Sequence, residues 1–174
     1  CQRVPDDFHS RYSALGRRYV YLLLQSPVRP SLDAGRFGWT FRELDGQAMR
    51  AAAALLVGEH DFTAFRSSEC QARTPVKNLR EIRISRHGSC WRFDFEASAF
   101  LHHMVRNLMA CLVAVGTGNR PVDWVSSVLA SRDRSLAAPT FAPDGLYFVG
   151  PHYDARFELP NHTAAMDGLP GAFA

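Results

Sequence analysis

Residues 78–98 read NLREIRISRHGSCWRFDFEAS, and their alternation decides the fold. Ile82 and Ile84 alternate with Arg83 and Ser85; after the turn HGS, Trp91, Phe93, Phe95 and Ala97 alternate with Arg92, Asp94 and Glu96. A two-residue apolar period on both sides of a glycine turn predicts a half-buried antiparallel hairpin.

Working outward, GRRYVYLLLQS (16–26) predicts a β-rich strand, stopped by PVRP because proline cannot continue a ladder. Tyr19, Tyr21 and Leu23 share one face and Val20, Leu22 and Leu24 the other. Both faces are largely apolar, so the strand is expected to be central. SLDAGRFGWTF is expected to be irregular. Residues 45–58 predict a helix capped by Asp45 and ended by Gly58, with Met49, Ala52, Ala53 and Leu56 inward. A short helical turn around Phe62 and Phe65 and then a polar loop are expected before the hairpin. AFLHHMVRNLMACLVAVG (99–116) predicts a long buried helix, PVDWVSSVLAS (121–131) a shorter one, and Leu146, Tyr147, Phe148 and Val149 a last strand. The order strand, helix, hairpin, helix, helix, strand predicts the α+β class, a mainly antiparallel mixed sheet with helices packed on one side. Residues 1–160 are expected to form the domain and 161–174, rich in Gly, Pro and Ala, a loose tail.

The bulk numbers narrow the function classes. At 174 residues, 47% hydrophobic and 21% charged, the chain fits one ordinary domain with a real core. No run reaches the roughly 18 apolar residues of a membrane span. The start, CQRVPDDFHSRY, has neither Met nor the apolar core of a signal peptide, so a segment of a longer protein is expected. The strand count also looks small for the sheet's apolar area, as if an upstream half supplied more. Cys1, Cys70, Cys90 and Cys111 show no CxxC spacing; reduced thiols and a cytoplasmic location are expected.

Net charge is +3, but nineteen of the twenty basic residues are Arg. Between 66 and 92, seven basic residues face Glu69 and Glu81 alone. A nucleic-acid surface and a solvated charged face both fit such a run.

The 99–116 stretch poses the sharper question. It contains no Asp or Glu, yet carries His102, His103, Arg106 and Asn107. On a helix His102 and Arg106 would share a face. A guanidinium cannot shed its proton and is costly to bury alone. Arg106 therefore needs water, a structural acid such as Asp94 or Glu96, or a carboxylate or phosphate held in a cleft. His102 and His103, about 100° apart on a helix, are poorly placed to share one ion, and no HExxH or paired CxxC occurs, so no metal is expected.

Five stretches together, DDFHSRYSALGRRYVY, LLVGEHDFTAFRSSECQARTPVKNL, FEASAFLHHMVRNLMACLVAVG, SRDRSLAAPTFAPDGLYFV and FELP, resemble the TruA-type tRNA pseudouridine synthases, in the family's order across residues 4–160. The resemblance implies a pseudouridine synthase-like sheet built from ferredoxin-like halves. It also implies isomerisation of uridine to pseudouridine in the anticodon stem-loop of tRNA, no metal or organic cofactor, and a homodimer. Tyr19 resembles the tyrosine that stacks on the target base and is a candidate to help remove the C5 proton. Arg106 resembles the arginine paired with the catalytic aspartate, and Leu146 the apolar residue beside the base. His102 and His103 are expected near the substrate pocket. Arg17, Arg18, Arg66, Arg73, Thr74 and Lys77 are candidates for contacts to RNA.

The family's nucleophilic aspartate sits in a Gly-Arg-Thr-Asp motif, and no GRTD occurs here. The chain by itself is therefore expected to be inactive. A non-catalytic RNA-binding domain and a structural or assembly domain are the alternatives.

Overall fold

The hub of the structure is strand β1 (Ala14–Gln25), which has neighbours on both sides. The structure is a computed structural model, and it describes residues 2–159. On one side β1 runs antiparallel to β5 (Cys90–Ala97), pairing Tyr19 with Phe95, Tyr21 with Phe93 and Leu23 with Trp91. On the other side it is shared. β6 (Leu146–Tyr153) lies antiparallel along its first half, and the short β2 (Gly38–Thr40) lies parallel to Leu23–Gln25. The expected hairpin is β4 (Val76–His87) with β5, and β3 (Gly58–Asp61) adds to the outer side of β4.

Helices α1 (Gly46–Ala54), α2 (Met104–Gly116) and α3 (Trp124–Ser131) supply the other layer. Tyr21, Leu23, Phe93 and Phe95 face them, and Met49, Leu56, Met104, Leu108, Leu112 and Val128 close the core. The chain is thus α+β, a mainly antiparallel mixed sheet with helices packed on one side. Asp45 caps α1, its Oδ1 accepting from the amides of Gln47 (2.8 Å) and Ala48 (3.0 Å).

Gly145 marks where β1 exchanges partners. Its carbonyl accepts from Leu22 N at 2.8 Å, its φ is +90°, and a Cβ there would run into Leu22 O and Gly38 N. No other residue type fits where these three backbones meet.

Several sequence expectations need correction. The apolar helix starts at Met104, so 99–103 is not helical and His102 lies before it. His103 takes the left-handed conformation, φ 61°. The peptide of His102 is captured by the loop after β3: Ser67 N donates to His102 O (3.1 Å) and His102 N to Cys70 Sγ (3.3 Å). These long-range bonds replace the first helical turn. α3 begins at Trp124 rather than at Pro121, α1 ends well before Gly58, and Gly58 opens β3. The stretch expected to be irregular contributes β2. The tail 161–174 lies outside the described residues.

Candidate active site

Tyr19 sits where the β1–β6 ladder is irregular, the register slipping between Arg18 and Tyr19. Its ring meets Phe100 edge-on (centroids 5.2 Å apart) and Phe148 at a tilt (5.1 Å). Burial pushes the phenol above its usual range, with Arg17 partly opposing. Arg106 projects from the first turn of α2. Its Nε donates to Phe141 O at 2.8 Å, and its terminal nitrogens bond to no described residue.

The two acids considered for it are engaged elsewhere. Asp94 pairs with Arg92 (2.8 Å) and Glu96 with Arg80 (3.1 Å). Nearby, Tyr21 Oη donates to Ala142 O (3.0 Å); burial and then Asp144 push this phenol up, while Arg106 opposes them.

Tyr19, Phe100, His102, His103, Arg106 and Leu146 line one open cleft of about 280 Å³. The rings of His102 and His103 stack at its rim, centroids 3.9 Å apart and 29° between planes. His103 is held below the ordinary imidazole value, by burial first and then by His102 and Arg106; Glu69 pulls the other way. A larger hollow, about 550 Å³, lies between α2, α3 and the segment 135–139. Among the described residues its only ionisable side chain is Arg120, whereas the smaller cleft brings together Tyr19, two histidines and Arg106.

The candidates for RNA contacts do not all gather in one place, although burial first and then Arg66 close by hold the Lys77 amine below the usual range. Arg18 alternates to the opposite sheet face, in a hollow with Arg83, Arg92, Asp94 and Glu96, its Nε buried without a partner. Arg17 donates to the carbonyls of Ser98 (2.9 Å) and Arg11 (2.6 Å). Arg66 holds the Cys70 and Ala72 carbonyls, and Lys77 Nζ those of Thr74 (2.7 Å) and Val76 (2.9 Å). Thr74 Oγ1 accepts from Val76 N. Arg73 is exposed and bonds to no described residue. Four of these side chains thus shape loops or strand ends, and Arg73 remains open to a ligand.

Sequence reading missed Phe100 as a wall and Phe148 as a ring packed on Tyr19; the latter could have been found, since it shares the parity of Leu146 along β6. Among the described residues, no group of three or more His, Cys, Asp or Glu could hold a metal ion, and no helix is long and apolar enough to cross a membrane.

One cleft thus holds an aromatic plate, apolar walls and a guanidinium whose terminal nitrogens bond to no described residue, an arrangement suited to a flat polar ring beside an anion. Residues 52–154, which include His102, His103, Arg106 and Leu146, match the family model described as tRNA pseudouridine synthase. The chain belongs to that family. It is 66% identical over 170 residues to tRNA pseudouridine synthase A of Methylibium petroleiphilum, covering 98% of this chain and 65% of that protein. Against the proteins of the same name from Polaromonas naphthalenivorans and Paracidovorax citrulli the identities are 59% (97% of this chain) and 60% (96%), each match covering 66% of the relative. The chain therefore spans just under two thirds of the length of these relatives.

Proposed function

We propose that the cleft is the uridine-binding side of a pseudouridine synthase active site, and that the whole protein converts uridine to pseudouridine in the anticodon stem-loop of tRNA. In this reaction the bond from N1 to the ribose breaks, the base turns, and C5 bonds to the same carbon. C5 loses its proton and N1 ends protonated. A base taken out of its stack needs an aromatic face and dry walls. Tyr19 supplies the face, with its phenol near the C5 proton; Leu146 and Phe100 supply walls. His102 and His103 border the entrance.

Arg106 holds the carboxylate of the nucleophilic aspartate, which no GRTD in these 174 residues supplies. The observation that carries this reading is the convergence of Tyr19, Leu146 and Arg106 on one cleft, with no described carboxylate paired to that guanidinium. Partners follow from it: tRNA, and a second copy of the protein, in the cytoplasm where tRNA is matured. The outer side of β6, which has no strand on it among the described residues, gives a second copy or the remaining third of the protein a place to pair.

The test is tritium release from tRNA labelled at uridine C5. This chain alone should release none. Joined to the upstream part of the Methylibium petroleiphilum relative it should turn over, and Arg106→Ala should abolish that turnover. Salt-sensitive tRNA binding without turnover by the joined protein would instead make the chain a non-catalytic RNA binder.

A further inference from the structure

Asn107 follows Arg106 in α2, and its side chain is fully buried. None of its side-chain hydrogen bonds stays on the helix. Nδ2 donates to Phe65 O at 2.8 Å. Oδ1 accepts from Thr140 Oγ1 at 2.8 Å and from an Arg134 terminal nitrogen at 3.1 Å, and Arg134 also donates to Thr140 Oγ1 at 3.0 Å. The buried amide thus fixes the segment 134–140 from inside the core.

The next residue, Phe141, exchanges two hydrogen bonds with Arg106. Phe141 N donates to Arg106 O at 3.4 Å, and Arg106 Nε donates to Phe141 O at 2.8 Å. One helix residue holds the strap, and the strap holds that residue's neighbour. A guanidinium is rigid and planar, so fixing the direction of Nε–H restricts the plane of the whole fork. Arg106 lines the cleft, and its terminal nitrogens, which bond to no described residue, are thereby already oriented. An apolar residue at 107 could fill the same space but could not specify where the strap sits.

We propose that Asn107 is a positioning residue for Arg106, acting through Thr140 and the Phe141 carbonyl to set the plane in which the guanidinium meets its carboxylate. This rests on the reading of Arg106 given above.

Asn107→Ala can fail for lack of a core, so the decisive variant is Thr140→Val. Thr140 is exposed, and the change removes the hydroxyl alone. The readout is solvent exchange of the Arg106 Nε–H in the ¹⁵N-labelled chain, its resonance assigned by its loss in Arg106→Lys. Exchange in Thr140→Val should be about ten-fold faster, through local opening of the strap, and Thr140→Ser should restore protection. An Nε–H as protected in Thr140→Val as in the unmodified chain overturns the proposal.

In the chain joined to its relative's upstream part, Thr140→Val should lower kcat about ten-fold with KM for tRNA nearly unchanged, since misorientation costs the reacting step. Faster Nε–H exchange with unchanged kcat would overturn the positioning role, whereas turnover surviving in Arg106→Ala would sink the functional reading of Arg106.

Discussion

The Tyr19 ring meets the Phe100 ring at 85°, centroids 5.2 Å apart, and its hydroxyl bonds to no described residue. The ring is held by two neighbouring rings, Phe100 and Phe148, rather than through its hydroxyl. Tyr19→Phe should therefore leave thermal stability within about 0.5 kcal/mol, because no internal hydrogen bond is lost. In the chain joined to its relative's upstream part the same change should reduce tritium release by about 10²-fold or more, the usual cost of a lost proton-transfer group. Unchanged release would remove the phenol from the chemistry.

His103 is held below the ordinary imidazole value in the folded chain. The unfolded chain then binds the extra proton more readily, so this residue's contribution to stability is complete above about pH 6.5. It is lost as pH falls toward the lower folded value. His103→Gly removes that titration and suits the φ of 61°. Melting temperature measured from pH 7.5 to 5 should fall less steeply in His103→Gly than in the unmodified chain; parallel curves would contradict this.

Arg73 and Arg66 should behave differently toward RNA. Arg73→Ala should lower the slope of log K against log salt for an anticodon stem-loop by about 0.7–0.9, one phosphate contact, with the melting temperature unchanged. Arg66→Ala should lower the melting temperature instead, because it frees the carbonyls of Cys70 and Ala72. Fluorescence anisotropy over a salt series, with a melting curve for each variant, separates the two; an unchanged slope in Arg73→Ala takes that residue off the RNA track.

Gly145→Ala should cost about 3 kcal/mol or more, because a Cβ meets the backbone of both Leu22 and Gly38. Gly35 has φ +80° and nothing within 4 Å of an added Cβ, so Gly35→Ala should cost about 1 kcal/mol. Urea unfolding of the two variants side by side measures the difference.

The alternation in 82–85 and 91–97 carried the hairpin, because a two-residue period has one reading when apolar and polar side chains take turns, while β1 was legible as a β-rich run, apolar on both faces and stopped by PVRP. β2 and β3 were not legible. Three or four residues of mixed polarity become strands through the neighbour they pair with, here Leu23–Gln25 and 76–79. The start of α2 was misplaced for a related reason. Composition favours a helix from Ala99, but Ser67 and Cys70 take the hydrogen bonds of His102, and neither is near it in sequence.

The candidate site shows the same division. That Arg106 needs a partner follows from the absence of acids around it. That Tyr19 shares its cleft came from the family resemblance, not from any spacing. The bond to Phe141 that orients Arg106 depends on how the approach to β6 folds back against α2.

A guanidinium keeps its charge at every pH a protein survives, and burial pushes the phenols of Tyr19 and Tyr21 further from neutrality. The charge contributed by Arg106 and these two phenols is therefore constant across the physiological range. What enters can be sorted by shape and by sign, but acidifying or alkalising the medium cannot switch the attraction off at Arg106. Any mid-range pH optimum must be brought by His103 at the lip or by the incoming acid itself.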